Sequence, residues 1–190
     1  MSNAEQTRVT AIVLDFLPHG RQSATRARYE QEPLVHALGV QDFRLYEIVL
    51  VPDDDAPSIG DHVTLRPPTP PVDEFREIGY GDLSSGAQAE LAYAVEDLID
   101  ADEQRFVSFF SEAQPITLRL HQLDLLPGIG DKLRDEIIDT RRRGPFTDFT
   151  DLEDRIDGLH DPRSILVDRI LEEIENEDVK YQLFAAGGPY

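Results

Sequence analysis

The chain of 190 residues contains no cysteine and only two lysines, Lys132 and Lys180. Without cysteine it can form neither disulfides nor thiolate metal sites, and it has no cysteine nucleophile. No apolar run approaches the roughly 18 residues that indicate a membrane-spanning helix. The first residues also lack the basic and then apolar order of a secretory signal. We therefore expect a cytoplasmic protein without a membrane partner.

The shortage of lysine accompanies a large excess of acid. The chain has 38 acidic and 18 basic residues, so its formal net charge is −20, and all the bases except the two lysines are arginines. The acids are spread along the chain, and a charge of this size keeps a protein soluble and apart from its neighbours. The composition favours a halophilic protein from a very salty cytoplasm. An ordinary acidic protein from a dilute cytoplasm is the alternative.

Patterns of catalysis and metal binding are missing as well. The histidines are dispersed, without the spacing of metal ligands: His19, His36, His62, His121 and His160. The sequence contains no phosphate-binding loop and no dinucleotide-binding fingerprint. A Ser/His/Asp arrangement cannot be read from it, and its carboxylates are too numerous to single out a pair. We therefore expect a protein that is not an enzyme and has no cofactor.

The first third of the chain has the pattern of short β-strands. Four stretches are rich in β-branched or alternating apolar residues and are bounded by turns: "RVTAIVLDFL", "PLVHALGV", "DFRLYEIVLV" and "HVTLRP". Short strands with turns at this spacing are typical of a small sandwich or barrel. The next stretch, "RPPTPPV" at residues 66–72, holds four prolines and predicts an extended linker.

A helical period follows the linker. In "SSGAQAELAYAVEDLIDA", Leu91, Val95 and Leu98 recur at helical spacing. "DEQRFVSFFSEA" predicts a second helix with its phenylalanines on one side. We interpret these aromatic residues as core, and a platform for stacking bases is the alternative. Four further helical patterns, separated by Gly or Pro, predict a compact all-helical module at the end of the chain.

The turn Pro127–Gly130 in "LLPGIGDKLRDEII" has the pattern of a phosphate site. Pro127 ends the preceding helix, and Gly128 and Gly130 permit a positive φ and leave the backbone uncovered. Ile129 between them can point inward and pin the two helices together. The next helix begins near Asp131, so its free N–H groups face the turn, and such amides bind phosphate.

These residues resemble a helix-hairpin-helix motif, which binds nucleic acid without reading its sequence. The resemblance implies that amides of Gly128 and Gly130 bind a phosphate, with Ile129 between them as part of the site. It also implies that Lys132 assists and that hairpin carbonyls can hold a monovalent cation. Arg134 departs from the motif, which has a small residue there. It either shifts the packing or adds a phosphate contact. "LEDRIDGLHDPRSILVDRI" resembles the degenerate second hairpin of paired motifs, and we expect it to pack rather than bind.

Local charge agrees with a phosphate site in this region. Residues 114–143 hold six bases and five acids, a net charge of +1, so the remainder of the chain carries −21. Arg141, Arg142 and Arg143 end the second helix of the motif and are candidates for phosphate contacts. Their alternative role is to complement the helix dipole.

The loop after the first strand is a second candidate contact. His19 and Arg21 lie in "LPHGR", and three further residues make the loop basic and partly aromatic: Arg26, Arg28 and Tyr29. Such a loop suits a nucleic-acid-facing edge of a barrel. A purely structural turn is the alternative.

Nearly the full length resembles an archaeal family, domain of unknown function 655. The resemblance rests on "VLDFLPHGR", "EPLVHALG", "EQRFVSFFSEAQPITLRLHQLDLLPGIGDKL" and "KYQLF". It implies an α+β fold, in which an oligonucleotide-binding (OB)-like β-barrel at 1–73 ends in the proline-rich segment. Connecting helices at 74–113 and an all-α helix-hairpin-helix domain at 114–190 would follow. Residues 66–76 depart from the family, which has a glycine-rich basic segment there.

These observations predict a non-enzymatic RNA- or DNA-binding protein that grips the phosphate backbone through the hairpin and a barrel loop. The ribosome and nucleic-acid-processing proteins are further candidate partners. A protein–protein adaptor in nucleic-acid metabolism or translation is the alternative from a different class. A nuclease or repair enzyme is a third, without a visible catalytic cluster.

Overall fold

The computed structural model describes residues 8–20, 32–51, 55–176 and 178–185. The chain divides into two compact units. The first comprises residues 1–94 and 174–190, and the second comprises residues 95–173. These bounds differ from the predicted division at residues 73 and 113. Within the described residues, every helix is too short or too polar to cross a bilayer.

The first unit is built on a five-stranded antiparallel sheet in the order β4-β1-β2-β3-β5. Its strands are β1 (Val9–Leu17), β2 (Leu34–Gly39), β3 (Leu45–Leu50), β4 (His62–Arg66) and β5 (Val72–Ile78). The four strands expected from the sequence are confirmed. β2 is buried at every position and β3 at all but one, because both lie inside the sheet.

The sheet is a curled half-barrel, so the predicted OB-like closed barrel is wrong. β4 and β5 are the two edges, and no ladder joins them in the described part of the chain. Turn spacing alone cannot distinguish the two forms, because it fixes neither the pairing nor the final closure of the strands. β5 was not expected either. Its burial is confined to Val72, Ile78 and partly Phe75, so it lacks the apolar alternation of a core strand.

Five α-helices follow the strands: α1 (Ser85–Ala101), α2 (Glu103–Glu112), α3 (Asp131–Arg141), α4 (Phe149–Arg155) and α5 (Pro162–Glu175). α1 and α2 confirm the two predicted helices. Two short 3-10 turns, Tyr80–Asp82 and Gln122–Leu125, precede α1 and α3. Phe106 and Phe110 are 1% and 0% exposed, so they belong to the core and cannot stack on bases.

The predicted separate all-α C-terminal domain is also wrong. The chain leaves the second unit after Glu173 and ends in the first unit. Three residues near the end are buried, Leu183, Phe184 and Ala185, because their apolar side chains need a core to cover them. The stretch 178–185 contains no α-helix or strand, and its pattern was too short to be assigned a place from the sequence.

Within the first unit, a polar chain connects the sheet to the start of α1. Ser84 Oγ donates to Asp15 Oδ2 (2.6 Å), and the Ser84 amide donates to Nδ1 of buried His36 (3.1 Å). His36 Nε2 lies 3.4 Å from Glu47 Oε2, and Arg76 Nε donates to Glu47 Oε1 (2.8 Å). Since Nδ1 accepts a hydrogen bond, the ring carries its proton on Nε2. These hydrogen bonds fix the N-terminus of α1.

Gly86 is required by this arrangement. A Cβ there would lie 2.7 Å from Asp15 Oδ2, which Ser84 holds in place. We expect Gly86→Ala to lower the free energy of unfolding by about 1–2 kcal/mol, because the carboxylate must leave its hydrogen bond. Gly81→Ala is the control, since a Cβ there meets nothing within 4 Å. Denaturant unfolding of both variants measures the difference, and equal stability would contradict the role assigned to Gly86.

Candidate nucleic-acid interface

The candidate site is a hairpin in the second unit, formed by the 3-10 turn Gln122–Leu125, the turn Pro127–Gly130 and α3. We call this segment the first hairpin. Gly128 has φ +80°, a conformation that favours glycine, and Gly130 is the N-cap of α3 with φ −93° and ψ −177°. A Cβ at either glycine would meet nothing within 4 Å. The backbone is therefore uncovered at both positions, as the sequence predicted.

Apolar residues hold the first hairpin from beneath. Ile129 is 5% exposed, and its amide donates to the Leu126 carbonyl (3.2 Å). Leu123, Leu126 and Ile137 are buried as well. Ile129 therefore pins the turn, as expected, while its own N–H is engaged within the turn. The two amides predicted to bind phosphate, those of Gly128 and Gly130, have no acceptor among the described residues.

His121 fixes the start of the first hairpin. Its Nδ1 accepts from the Leu123 amide (3.1 Å), and its own amide donates to Asp124 Oδ2 (2.7 Å). Burial lowers the pKa of His121, and the positive charge of Arg141 lowers it further. The ring is therefore neutral at pH 7 and acts as a cap.

The N-terminus of α3 offers a row of open amides. The first hydrogen bond of the helix runs from the Arg134 amide to the Gly130 carbonyl (3.0 Å), and no side chain caps the start. Within the described residues, five amides have no acceptor: those of Gly128, Gly130, Asp131, Lys132 and Leu133. Unsatisfied N–H groups and the positive end of the helix dipole together attract an anion.

Lys132 and Arg134 differ in their availability. Lys132 is exposed, and no carboxylate of the described residues pairs with it. Arg134 instead pairs with three carboxylates, those of Asp124 (3.0 Å), Asp131 (2.8 Å) and Asp135 (2.9 Å). Hydrogen bonds to Asp135 and Asp124 raise the pKa of Arg134 above its usual value. The single charge of Arg134 is therefore shared among three acids, and Lys132 is the cation of the first hairpin whose side chain is unpaired within the described residues.

An open groove of about 610 Å³ adjoins the first hairpin, lined by residues 124–130 together with Arg169 and Glu172. Each of its two carboxylates has an arginine partner, and both arginines are shared with other acids. Asp124 pairs with Arg134, and Glu172 accepts from Arg169 Nη1 (3.0 Å). The groove therefore presents no unpaired acid to an approaching phosphate.

The three arginines at the end of α3 have three different roles. Arg141 donates to the carbonyls of Phe110 (3.3 Å) and Ala113 (2.8 Å), so it caps α2. Burial lowers the pKa of Arg141, with a further contribution from Arg142. Arg142 pairs with Asp139 (3.1 Å) one turn earlier. Arg143 is exposed and its side chain has no partner among the described residues, so it is the member of the three that is available to a ligand.

The second hairpin, between α4 and α5, repeats the turn of the first. Gly158 has φ +85°, and the amide of buried Leu159 donates to the Ile156 carbonyl (3.3 Å). Here, however, carboxylates accept from several of the amides. Asp157 N donates to Glu136 Oε1 (2.8 Å), and Asp161 N donates to Glu153 Oε1 (2.7 Å). α5 begins with Pro162, which has no N–H. Several of its donors are thus used internally, and its open amides among the described residues, those of Gly158, His160 and Arg163, do not form a continuous row. That the second hairpin packs rather than binds stays a prediction.

The other predicted contact belongs to the first unit. His19 is exposed in the turn that follows β1. Arg21 lies outside the described residues, as do Arg26, Arg28 and Tyr29. In the described residues, no group of three His, Cys, Asp or Glu side chains is placed to hold a metal ion.

Sequence reasoning missed the neutralising pairs around the first hairpin and the protruding loop before it. In that loop Leu118 is fully exposed. One signal could have revealed the loop: residues 113–123 contain no Asp or Glu, although the chain as a whole is strongly acidic.

Fold and site together define an α+β protein with a curled antiparallel sheet and a helical unit that presents one open hairpin. The family model described as "Protein of unknown function (DUF655)" matches residues 7–186, and the chain belongs to this archaeal family. An uncharacterised protein of Methanocaldococcus jannaschii is 37% identical over 177 residues, which are 92% of this chain and 78% of that protein. A DUF655 crystal structure from Archaeoglobus fulgidus matches with a TM-score of 0.83 and 37% identity. That match covers 93% of this chain and 99% of the other.

Proposed function

We propose that this protein binds RNA or DNA without catalysis, and that the first hairpin is a helix-hairpin-helix motif that grips the phosphate backbone. The observation that carries the proposal is the contrast between the two hairpins. They share the same glycine turn, but the first keeps four consecutive amides open, those of residues 130–133. In the second, the amides of Asp157, Asp161 and Ser164 donate to carboxylates and Pro162 has none, so its remaining open amides among the described residues form no such row. Open amides add no stability to a solvent-exposed turn that binds no ligand, whereas a phosphate site requires them.

Two kinds of donor act together in the proposed site. Amides of Gly128, Gly130 and the first turn of α3 would donate to phosphate oxygens, and Lys132 would add a charge beside them. Contacts of this kind fix the position of a nucleic acid and do not read its bases. At about 1 M salt the Debye length is about 3 Å, so contacts at hydrogen-bond range persist while long-range attraction is lost. Amide donors are therefore well suited to an acidic, salt-adapted protein.

The loop after β1 is proposed as a second contact with the same nucleic acid. The exposure of His19 supports this part of the proposal. This second contact would also be with the phosphate backbone of the nucleic acid, because histidine and arginine side chains both donate to phosphate oxygens.

Fluorescence anisotropy with labelled RNA and DNA in about 1 M KCl tests the function, because only contacts at short range survive there. We expect saturable binding to at least one of the two, with no loss of the labelled strand. Absence of binding to either, together with nuclease-resistant co-purification of a protein, would favour the adaptor instead. Degradation of the strand with a divalent metal would favour an enzyme.

Lys132→Gln is expected to weaken binding and to reduce its dependence on salt. Removing one phosphate contact should lower the slope of log K against log salt by about 0.9 on B-DNA, or about 0.7 on a single strand. Lys180→Gln is the matched control, because it removes the other lysine, which lies over Tyr181 in the first unit. An unchanged slope in Lys132→Gln, or an equal change in both variants, would contradict the assigned role of Lys132.

A further inference from the structure

A rigid loop precedes the first hairpin in the second unit. Pro115 and His121 form an isolated antiparallel bridge that closes it. The amides of Ile116 and Thr117 both donate to the Leu120 carbonyl, at 2.8 and 3.0 Å. Below the bridge, the Gln122 amide donates to the Gln114 carbonyl (3.0 Å). The tip therefore has a fixed backbone.

The tip presents a leucine and an arginine to solvent. Leu118 is 106% exposed, against 53% for Ile59 and 63% for Tyr93, the other large exposed apolar residues of the described chain. Arg119 beside it is exposed, and its side chain has no partner among the described residues. Its backbone amide donates to Thr117 Oγ1 (3.2 Å), which tightens the tip further.

The charge around the tip indicates which partner it suits. No Asp or Glu occurs from Ala113 to Leu123, in a chain of net charge −20. A loop without acids, with one unpaired arginine, suits a polyanion. Burying an exposed leucine away from water is favourable. In a nucleic acid, the apolar faces of the stacked bases are the surface that can bury it. Apolar side chains of this kind enter base steps in several minor-groove-binding proteins.

The position along the chain links the tip to the proposed phosphate site. His121 ends the loop and caps the 3-10 turn Gln122–Leu125, which leads directly into Pro127–Gly130. Four residues of 3-10 helix extend about 8 Å. The loop and the amides are thus joined by a short segment of defined structure.

We propose that Leu118 is a wedge that inserts into a base step of a nucleic-acid duplex, with Arg119 on the adjacent phosphate, while the first hairpin holds the backbone nearby. This inference rests on the proposed function. It adds an apolar contact with bases to a site that otherwise contacts phosphates.

A duplex carrying a fluorescent adenine analogue, whose emission rises on unstacking, tests the wedge. We expect wild type to raise the emission and Leu118→Ser to abolish the rise, with affinity about three- to tenfold weaker and an unchanged salt slope. Ile59→Ser, at another exposed apolar residue, should behave as wild type. Thermal unfolding followed by circular dichroism checks that both variants fold.

The outcomes separate the wedge from the hairpin. If wild type binds but leaves the emission unchanged, or if Leu118→Ser binds and unstacks like wild type, the wedge is overturned while the proposed function stands. If wild type binds no nucleic acid, both are overturned. If Leu118→Ser loses only the capture of a protein partner, the tip is a protein-docking loop and the wedge is overturned.

Discussion

Asp131→Pro is expected to weaken nucleic-acid binding about tenfold or more relative to Asp131→Ala. Proline at the first position of α3 removes one open amide, and a hydrogen bond from an amide to a charged phosphate contributes about 1.5–3 kcal/mol. The helix itself should persist, because proline is favoured at this position. Gly130 has φ −93° and ψ −177°, the extended conformation that a residue before proline adopts. Anisotropy titrations of both variants in the same salt measure the ratio.

Asp131→Ala is the matched control, since both substitutions remove the carboxylate that pairs with Arg134 and only one removes the N–H. α5 of the second hairpin already begins with Pro162, so the variant gives the first hairpin a feature that the second has. The glycines themselves are less suitable for this test, because Gly128 at φ +80° cannot accommodate proline. Equal affinity of the two variants, with equal thermal stability, would contradict the amide grip.

Arg155→Ala is expected to lower the free energy of unfolding by about 3 kcal/mol, the largest stability effect that we predict. Arg155 donates to the carbonyls of Thr140 (3.1 Å), Gly144 (2.9 Å) and Pro145 (3.0 Å). It also pairs with Asp151 and lies 4.7 Å from the ring centroid of Phe146. One side chain thus ties α4 to Thr140 in the last turn of α3 and to the turn that follows it.

Urea unfolding measures this loss, with Arg143→Ala as the control. The Arg143 side chain is exposed and unpartnered among the described residues, so its removal should change stability by less than about 0.5 kcal/mol. Arg155→Lys should lie between the two, because lysine retains the charge but lacks the planar fork that reaches several carbonyls. A loss in Arg155→Ala no larger than in Arg143→Ala would show that the end of α3 is held by other contacts.

Local patterns predicted the parts of the fold that local forces determine. The period of Leu91, Val95 and Leu98 placed α1, and β-branched runs placed the first four strands. The glycine turn of the first hairpin was predicted for the same reason, because a proline that ends a helix and a glycine that permits a positive φ lie next to each other in the sequence. Ile129 was expected to point inward, and it is buried.

Long-range pairing explains what the sequence did not reveal. β5 pairs with β3 through register, with Ile48 opposite Phe75, although β5 itself is mostly exposed. Whether a curled sheet closes depends on its two edge strands, and no short pattern reports that. The placement of residues 178–185 in the first unit is likewise determined by tertiary packing, through a few buried apolar side chains such as Leu183.

The same limit applies to the candidate site. Arg134 and Arg141 were candidates for phosphate contacts beside Lys132, because the sequence does not show which charges already have partners. In the structure Arg134 pairs with three acids and Arg141 caps α2, so their charges are already used. Partners 10 and 28 residues away, Asp124 and Ala113, cannot be read from spacing.

The open amides of the first hairpin are the central claim, and an amide-resolved NMR titration of the wild-type protein with an oligonucleotide tests it most directly. We expect the amide signals of Gly128, Gly130 and Asp131 to move downfield as phosphate oxygens accept from them, while that of Gly158 in the second hairpin stays in place. Binding that leaves the Gly128 and Gly130 amides unmoved, or that moves Gly158 as much, would contradict the account.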